Sequence, residues 1–428
     1  MTTVSTVYPS QGRQSHLVRR LLLNGKLQLW LGLVFAVLMP TLVSQGGSFW
    51  LTADQAQWLT FLLTALAYWW SITTVQRMGR LPGACAYLLS IPATSVCFAI
   101  PYLVVLISES EVLNELYLVG YLLTMLYGTV GYWIERHFKV IKLAVVPFGK
   151  APSLCHNHGV DWHSLGTPAL GNVGVDGVVA DLYDDLPSEW ERFLADCTLR
   201  RIPVYHATTT YEWLTGRVQL GHLYENRYGS LHPDEGYEVL KRCLDLSTVV
   251  ITLPVTLPLM AITALAIRLE SEGPVLFTQQ RMGFQCRPFT VYKFRSMFIG
   301  QQGIGYTVDS DDPRITRVGK VIRKYRVDEL PQLFNVLKGD MSLIGPRPES
   351  MDLANWYQKD VPFFHYRHVV RPGISGWAQV EQGYAAEVDG MNCKLEYDFY
   401  YIKNISFWLD LLIVMRTIRT VLTGFGSR

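Results

Sequence analysis

Four apolar segments, near residues 27–43, 57–75, 83–107 and 112–134, follow one another with almost no charge inside them, each close to the length of a bilayer core. In hydrocarbon a chain must satisfy its own backbone polar groups, so successive segments of this length fit a bundle of spanning helices. A buried core helix would explain any one of them; four in a row predict a transmembrane bundle over 27–136. The first segment is the weakest, since it carries Gln28. Residues 1–26 are polar and basic, with Arg13, Arg19, Arg20 and Lys26, and no small-residue cleavage site ends the apolar run, so they read as a cytoplasmic leader.

Charge sets an orientation. The leader, the second connection (Arg77, Arg80) and the exit (Arg136, Lys139, Lys142) are basic, whereas the first connection has Asp54 and the third Glu109 and Glu111. Basic connections stay inside, so both ends of the bundle and all that follows are expected in the cytoplasm. With 38 Lys and Arg against 36 Asp and Glu in 428 residues, nothing in the global charge points to nucleic acid. The seven cysteines are scattered without a CxxC pair and read as reduced, neither disulfides nor metal ligands.

Residues 137–236 read as a cytosolic α/β intermediate domain and linker. Candidate strands lie at 142–147, 177–180 and 202–205, with a helix from 187 to about 200, a Rossmann-like arrangement. The loop after the first strand, Pro147-Phe148-Gly149-Lys150, lacks GxGxxG, which favours a structural or docking role over dinucleotide binding. Residues 208–236 show no clear period and read as linker and loops.

A fifth apolar run, 244–267, is broken by Pro254 and Pro258 and flanked by Lys241, Arg242 and Arg268. Its length suits a span, but cations at both ends place both ends on one side. Two prolines can kink a helix so that it enters and leaves by the same face, and a re-entrant membrane helix is the preferred reading over a kinked fifth span. Alternation in 275–277 and 289–292 predicts a hairpin that ends in Lys293 and Arg295 on one face, and Asp311-Asp312-Pro313 predicts an Asx-type turn.

The stretch 320–349 joins a basic run (Lys320, Arg323, Lys324, Arg326) to adjacent carboxylates, Asp328 and Glu329, and then to a helix pattern at Leu330, Leu333, Phe334 and Leu337. Pro331 fits a first helical turn, which puts both acids at or before a helix N-terminus, where phosphate can dock and a carboxylate is favoured ionised. Gly339 should end the helix, and Gly345-Pro346-Arg347-Pro348 should hold one guanidinium in a rigid turn. The bland alternative makes Asp328 an N-cap and the bases its solvated partners. Downstream, Arg371-Pro372-Gly373 is a second such turn, and Tyr397, Asp398, Tyr400 and Tyr401 could hold a base or ribose or simply pack. The last apolar segment, 406–422, is built like an interfacial helix or a core helix.

Together, KRCLDL (241–246), GPVLFTQQRMG (273–283), KFRSM (293–297), DPRITRVGKVIRK (312–324), DELPQLFNVLKGDMSLIGPRP (328–348) and RPGISGWAQV (371–380) closely resemble the bacterial sugar transferase family, the monotopic polyprenyl-phosphate phosphoglycosyl transferases. With the bundle and the α/β domain the chain looks like the large members that begin O-antigen, capsule or exopolysaccharide synthesis. The resemblance implies an α-rich catalytic domain over 237–428 with a re-entrant helix, an Asp-Glu dyad and Mg²⁺. Pro258 matches the family's kink proline, with Leu257 in place of its serine, and Arg326-Val327 replaces the usual Ser-Leu before the dyad. It further implies transfer of hexose 1-phosphate from a UDP-hexose, glucose or galactose, to undecaprenyl phosphate, with Asp328 as nucleophile and metal ligand and Glu329 assisting. Lys293, Arg295, Arg323, Arg347 and Arg371 are the expected phosphate and nucleotide contacts. Expected partners are the UDP-hexose, undecaprenyl phosphate and membrane lipid, with a homodimer left open. The expected place is the bacterial inner membrane, catalytic face cytoplasmic.

Overall fold

The computed structural model describes residues 25–78, 86–108, 111–138, 141–157, 159–171, 174–220, 235–299, 312–382 and 388–423. Most of the leader, Arg80, Glu109, Lys139, residues 221–234 of the linker, and Asp311 lie outside them. The chain divides into two compact units, 1–210 and 211–428.

In the first unit every predicted span is helical. Gly25–Leu33 continues through a π-helical turn, Val34–Leu38, into Met39–Gln45, and is followed by Gln55–Met78, Ala86–Ile107 and Asn114–Phe138. The first three are long and apolar enough to cross a bilayer. Buried hydroxyls of the four helices are satisfied locally: Thr60, Thr64, Ser71 and Thr124 each donate to a carbonyl one turn back, the usual way a polar side chain is made compatible with a membrane helix. Gly32 is required where the first helix meets Tyr68 and Tyr127, because a Cβ there would come within 2.2 Å of the Tyr68 hydroxyl. Those two phenols donate to the carbonyls of Leu29 and Gln28.

The α/β part of this unit is a parallel four-stranded sheet in the order β2-β1-β3-β4, with β1 Ile141–Val145, β2 Val160–Ser164, β3 Gly177–Ala180 and β4 Val204–His206. The helix Ser188–Leu199 buries Trp190, Phe193, Leu194 and Cys197 against Ala144, Val146, Val178 and Ala180, a stripe of small residues that lets it sit close. The strand β2 escaped the sequence reading because Val160-Asp161-Trp162-His163-Ser164 is a half-exposed edge with little apolar signal. A 3₁₀ helix, Ala151–His156, makes the connection from β1 to β2 where a nucleotide-binding fold would carry a glycine-rich turn and helix.

The second unit is organised on one long helix, Glu235–Glu270, roughly 54 Å long at 1.5 Å per residue. It runs unbroken through Pro254 and Pro258, without a hairpin reversal between them. Arg242, Asp245, Val249, Leu253, Met260, Ala264 and Ile267 form one stripe that packs on the unit along the whole helix. The opposite face is apolar and exposed, with Ile251 at 75%, Val255 at 73% and Leu269 at 79%. The predicted hairpin is β5 Leu276–Met282 paired antiparallel with β6 Pro288–Phe294. The short strands β7, Ser342–Ile344, and β8, Gly373–Ser375, run parallel and bring the two Pro/Gly turns together backbone to backbone. A Cβ at Gly373 would lie 2.1 Å from Gly345 N, so only glycine allows this contact.

Two expectations change. The stretch taken as linker contains all but the first residue of the helix Ala207–Thr215, and Gly216, Arg217 and Val218, within the second unit, bond to Trp377 Nε1, Tyr397 Oη and Glu396 O. The last helix, Phe407–Thr423, is a core helix in its first half: Leu409, Leu412 and Ile413 are buried, and Asp410 accepts from Lys241, Tyr237 and Tyr401.

Candidate active site

The two carboxylates occupy a single 3₁₀ turn, Val327–Glu329, wedged between the helix Arg317–Lys324 and the short helix Gln332–Lys338. The turn is tight because Arg326 takes a left-handed conformation, φ 57°, that ends the first helix and re-aims the chain. Pro331 is the N-cap of the second helix and Gly339, at φ 93°, ends it as expected.

Glu329 is the hub. Its Oε1 lies 2.9 Å from Lys293 Nζ, 2.7 Å from Arg347 Nη2 and 3.8 Å from Arg326 Nη1. Burial alone would raise its pKa, but Arg347 and Lys293 outweigh burial and hold the carboxyl well below the usual range. Lys293 is pushed down to about 8 by burial, with Glu329 opposing, and Glu329 in turn holds the Arg347 guanidinium firmly protonated. The physical result is a buried cluster in which three cations, Lys293, Arg347 and the more distant Arg326, surround one ionised acid.

Asp328 behaves differently. Its Oδ1 is buried and has no hydrogen-bond partner among the described residues, and it caps no helix: neither the 3₁₀ turn nor the helix that follows has a side-chain cap. Burial first, then the charge of Glu329, raises its pKa to about 6, while Lys293 and the arginines pull the other way. The acids lie just before a helix N-terminus, as expected, but the helix begins only after Pro331, and burial in the preceding turn works against the ionised form of Asp328. A buried acceptor without a donor is what a cation or an electrophilic phosphorus would complete. One carboxylate with free oxygen is enough protein for Mg²⁺, which commonly takes one or two carboxylates and draws its other ligands from substrate phosphates and water. No cluster of three metal-binding side chains exists among the described residues, so an all-protein metal cage is not what this turn builds.

Of the predicted contacts, Lys293 and Arg347 reach the dyad directly. Arg323 lies beside it: its Nε donates to Ser296 Oγ at 2.8 Å, and its charge acts on Asp328. Arg295 does not reach the dyad. Although it lies only two residues after Lys293, just beyond the end of β6, it is 7% exposed and its guanidinium closes on the carbonyls of Ser271 and Glu272, fastening the end of the long helix to the strand. Arg371 also lies elsewhere. Its Nε donates to Gly339 O, and Arg242 donates to Val336 O and Leu337 O, so both cap the C-terminal end of the helix whose N-terminal end follows the dyad. The Asx turn is present, with Asp312 Oδ1 accepting from Arg314 N. Tyr397, Tyr400 and Tyr401 pack in the core, and Asp398 pairs with Arg367.

Sequence reasoning missed Arg281, Glu349, Arg367 and Lys394 in the layer behind the site, and named Asp398 there only as a residue that could hold a base or ribose or simply pack. Arg281 stands inside the GPVLFTQQRMG motif and Glu349 directly after Pro348, so motif membership was an available signal; Arg367 and Lys394 had none.

Residues 236–424 match the family described as "Bacterial sugar transferase". Over 98% of its length the chain is 46% identical to the UDP-N-acetylgalactosamine-undecaprenyl-phosphate N-acetylgalactosaminephosphotransferase of Aeromonas hydrophila, 99% of which is covered. It is 40% identical, over 46% of its length and 75% of the relative, to the UDP-glucose:undecaprenyl-phosphate glucose-1-phosphate transferase of Caulobacter vibrioides. It is 43% identical, over 42% of its length and 35% of the relative, to the undecaprenyl-phosphate glucose phosphotransferase of Komagataeibacter xylinus.

Proposed function

The chain belongs to the bacterial sugar transferase family, and from that membership we propose that it transfers a hexose 1-phosphate from a UDP-sugar to undecaprenyl phosphate, releasing UMP. The observation that carries the reading is the division of labour in the 3₁₀ turn: Glu329 is neutralised by Lys293 and Arg347, whereas the adjacent Asp328 keeps a buried oxygen without a hydrogen-bond partner among the described residues.

In the proposed reaction a carboxylate oxygen of Asp328 attacks the β-phosphorus of the donor, the bond to the bridging oxygen breaks, and UMP leaves with that oxygen. A phosphate oxygen of undecaprenyl phosphate then attacks the same phosphorus and Asp328 departs as carboxylate. Lys293, Arg323 and Arg347 would lower the charge that builds on the phosphoryl oxygens, and Glu329 would keep Lys293 and Arg347 in place. Asp328 and the diphosphate together would hold Mg²⁺, which supplies further charge neutralisation when bound. The relative similar over the full length is named for N-acetylgalactosamine, so this donor joins glucose and galactose among the candidates.

The long helix supports a monotopic placement. One face packs on the unit from Arg242 to Ile267 and the other is exposed and apolar, which suits a helix embedded from one side of a membrane better than one crossing it. Together with the basic connections of the bundle, this supports the reading in which the catalytic face lies in the cytoplasm at the inner membrane. The test is a panel of radiolabelled UDP-sugars with undecaprenyl phosphate in detergent: label should pass to the lipid from at least one donor, and no transfer from any of them refutes the reading.

A further inference from the structure

Building on that reading, we propose that Arg367 and Asp398 are positioning residues for the transfer: a buried ion pair that clamps the Gly345–Pro348 turn and so aims Arg347 at Glu329.

The turn holds prolines at 346 and 348, neither of which has an N–H to donate to a neighbouring strand. Its fold therefore rests on donors that come to its carbonyls. Pro346 O accepts from Gly373 N at 3.0 Å and Glu349 O from Met282 N at 3.0 Å. The two carbonyls between them are taken by guanidinium groups, Arg347 O by Arg367 Nη2 at 2.8 Å and Pro348 O by Arg281 Nη1 at 2.6 Å.

Arg367 is the more deeply held of the two, at 2% exposure. Its Nη2 also lies 2.8 Å from Asp398 Oδ2 and its Nε 3.1 Å from the same oxygen, and Asp398 is 1% exposed. Its Nη1 reaches Glu349 Oε1 at 3.4 Å, where Lys394 also ends. An apolar pair would fill this space at lower desolvation cost. What a planar guanidinium adds is a fixed fork, with its Nε–Nη2 edge on the Asp398 carboxylate and the second hydrogen of Nη2 left for the Arg347 carbonyl. Arg347 is thus held at both ends, its carbonyl by Arg367 and its guanidinium by Glu329. Without the clamp the turn keeps its glycine contacts but loses the bond at the residue that faces the dyad.

The experiment is a double-mutant cycle on the full chain in detergent, with kcat and Tm read on the same samples. Asp398→Asn keeps shape and Arg367→Lys keeps charge without the fork. Each should lower kcat by about 10- to 100-fold, as expected for misplacement of a catalytic group, with KM for the UDP-sugar changed less than about threefold. In an Arg347→Lys background the same substitutions should lower kcat by less than about twofold more, while their effects on Tm still add. Losses in kcat that multiply, or folded single variants with unchanged kcat, overturn the clamp. A second readout needs no turnover: the thiol introduced by Arg347→Cys, followed by peptide-resolved alkylation, should react at least about tenfold faster when Asp398→Asn or Arg367→Lys is also present. Equal rates overturn the proposal. If one of these variants does not fold, the other carries both measurements. If the wild type transfers nothing, the functional reading fails and the thiol measurement alone decides on the clamp.

Discussion

Arg347 Nη2 lies 2.7 Å from Glu329 Oε1, while Asp328, one residue earlier, keeps Oδ1 buried with no hydrogen-bond partner among the described residues. Two adjacent acids in one turn therefore have opposite electrostatic fates, because the cations converge on one and burial dominates at the other.

Asp328→Asn should abolish transfer, by at least about 10³-fold, without loss of fold, since the side chain caps no helix and an amide cannot form the acyl phosphate. Trapping of labelled sugar phosphate on the protein, with lipid acceptor withheld, checks it. Wild type that turns over normally yet never carries label would point to direct transfer.

Glu329→Gln leaves Lys293 and Arg347 buried without their counter-charge. Removing one partner of a buried ionic cluster costs about 3–5 kcal/mol, so a marked fall in Tm is expected together with loss of activity. A Tm within a degree or two of wild type would show that solvent or another acid replaces the charge.

Cysteines placed by Val239→Cys and Leu269→Cys, in a chain whose native thiols are replaced, bracket the long helix at exposed positions. Both should react from the cytoplasmic side of sealed vesicles only. Reaction of the second from the opposite side would make the helix a span.

A chain begun at Tyr211 should keep transfer activity, because Glu212, Gly216, Arg217 and Val218 pack within the catalytic unit. One begun at Glu235 should melt lower, since Trp377 loses the Gly216 carbonyl and Lys403 loses Glu212. Thermal unfolding of the two in the same detergent decides it.

Glu349 gives a pH dependence. Burial would raise its pKa, but Lys394 and Arg367 prevail and hold it at about 2. Because the folded value lies below the unfolded value near 4.5, its stabilising effect is full above that pH and is lost as pH falls toward 2, on the order of 3 kcal/mol in all. The fall in Tm from pH 6 to pH 3 should accordingly be smaller in Glu349→Gln than in wild type, and equal slopes would assign the acid sensitivity to other carboxylates.

The sequence by itself determined the features that rest on composition and local order. The spans follow from apolar length, the hairpin from alternation, the end of the site helix from Gly339, and the dyad with its flanking Pro/Gly turns from adjacency along the chain. Tertiary structure alone decided where the long cationic side chains end. Lys293 and Arg295 stand two residues apart at the end of β6, yet one finds Glu329 and the other the carbonyls of Ser271 and Glu272. Arg347 and Arg371 stand in matching turns, yet the contact of β7 with β8 sends them to opposite ends of one helix. The Arg367–Asp398 pair joins positions 31 residues apart, and although Asp398 stood out in the sequence, nothing local pointed to Arg367 as its partner. A backbone turn is set by its own residues, but a flexible arginine takes the partner that burial and distant packing bring within reach, and that choice is made only when the elements meet.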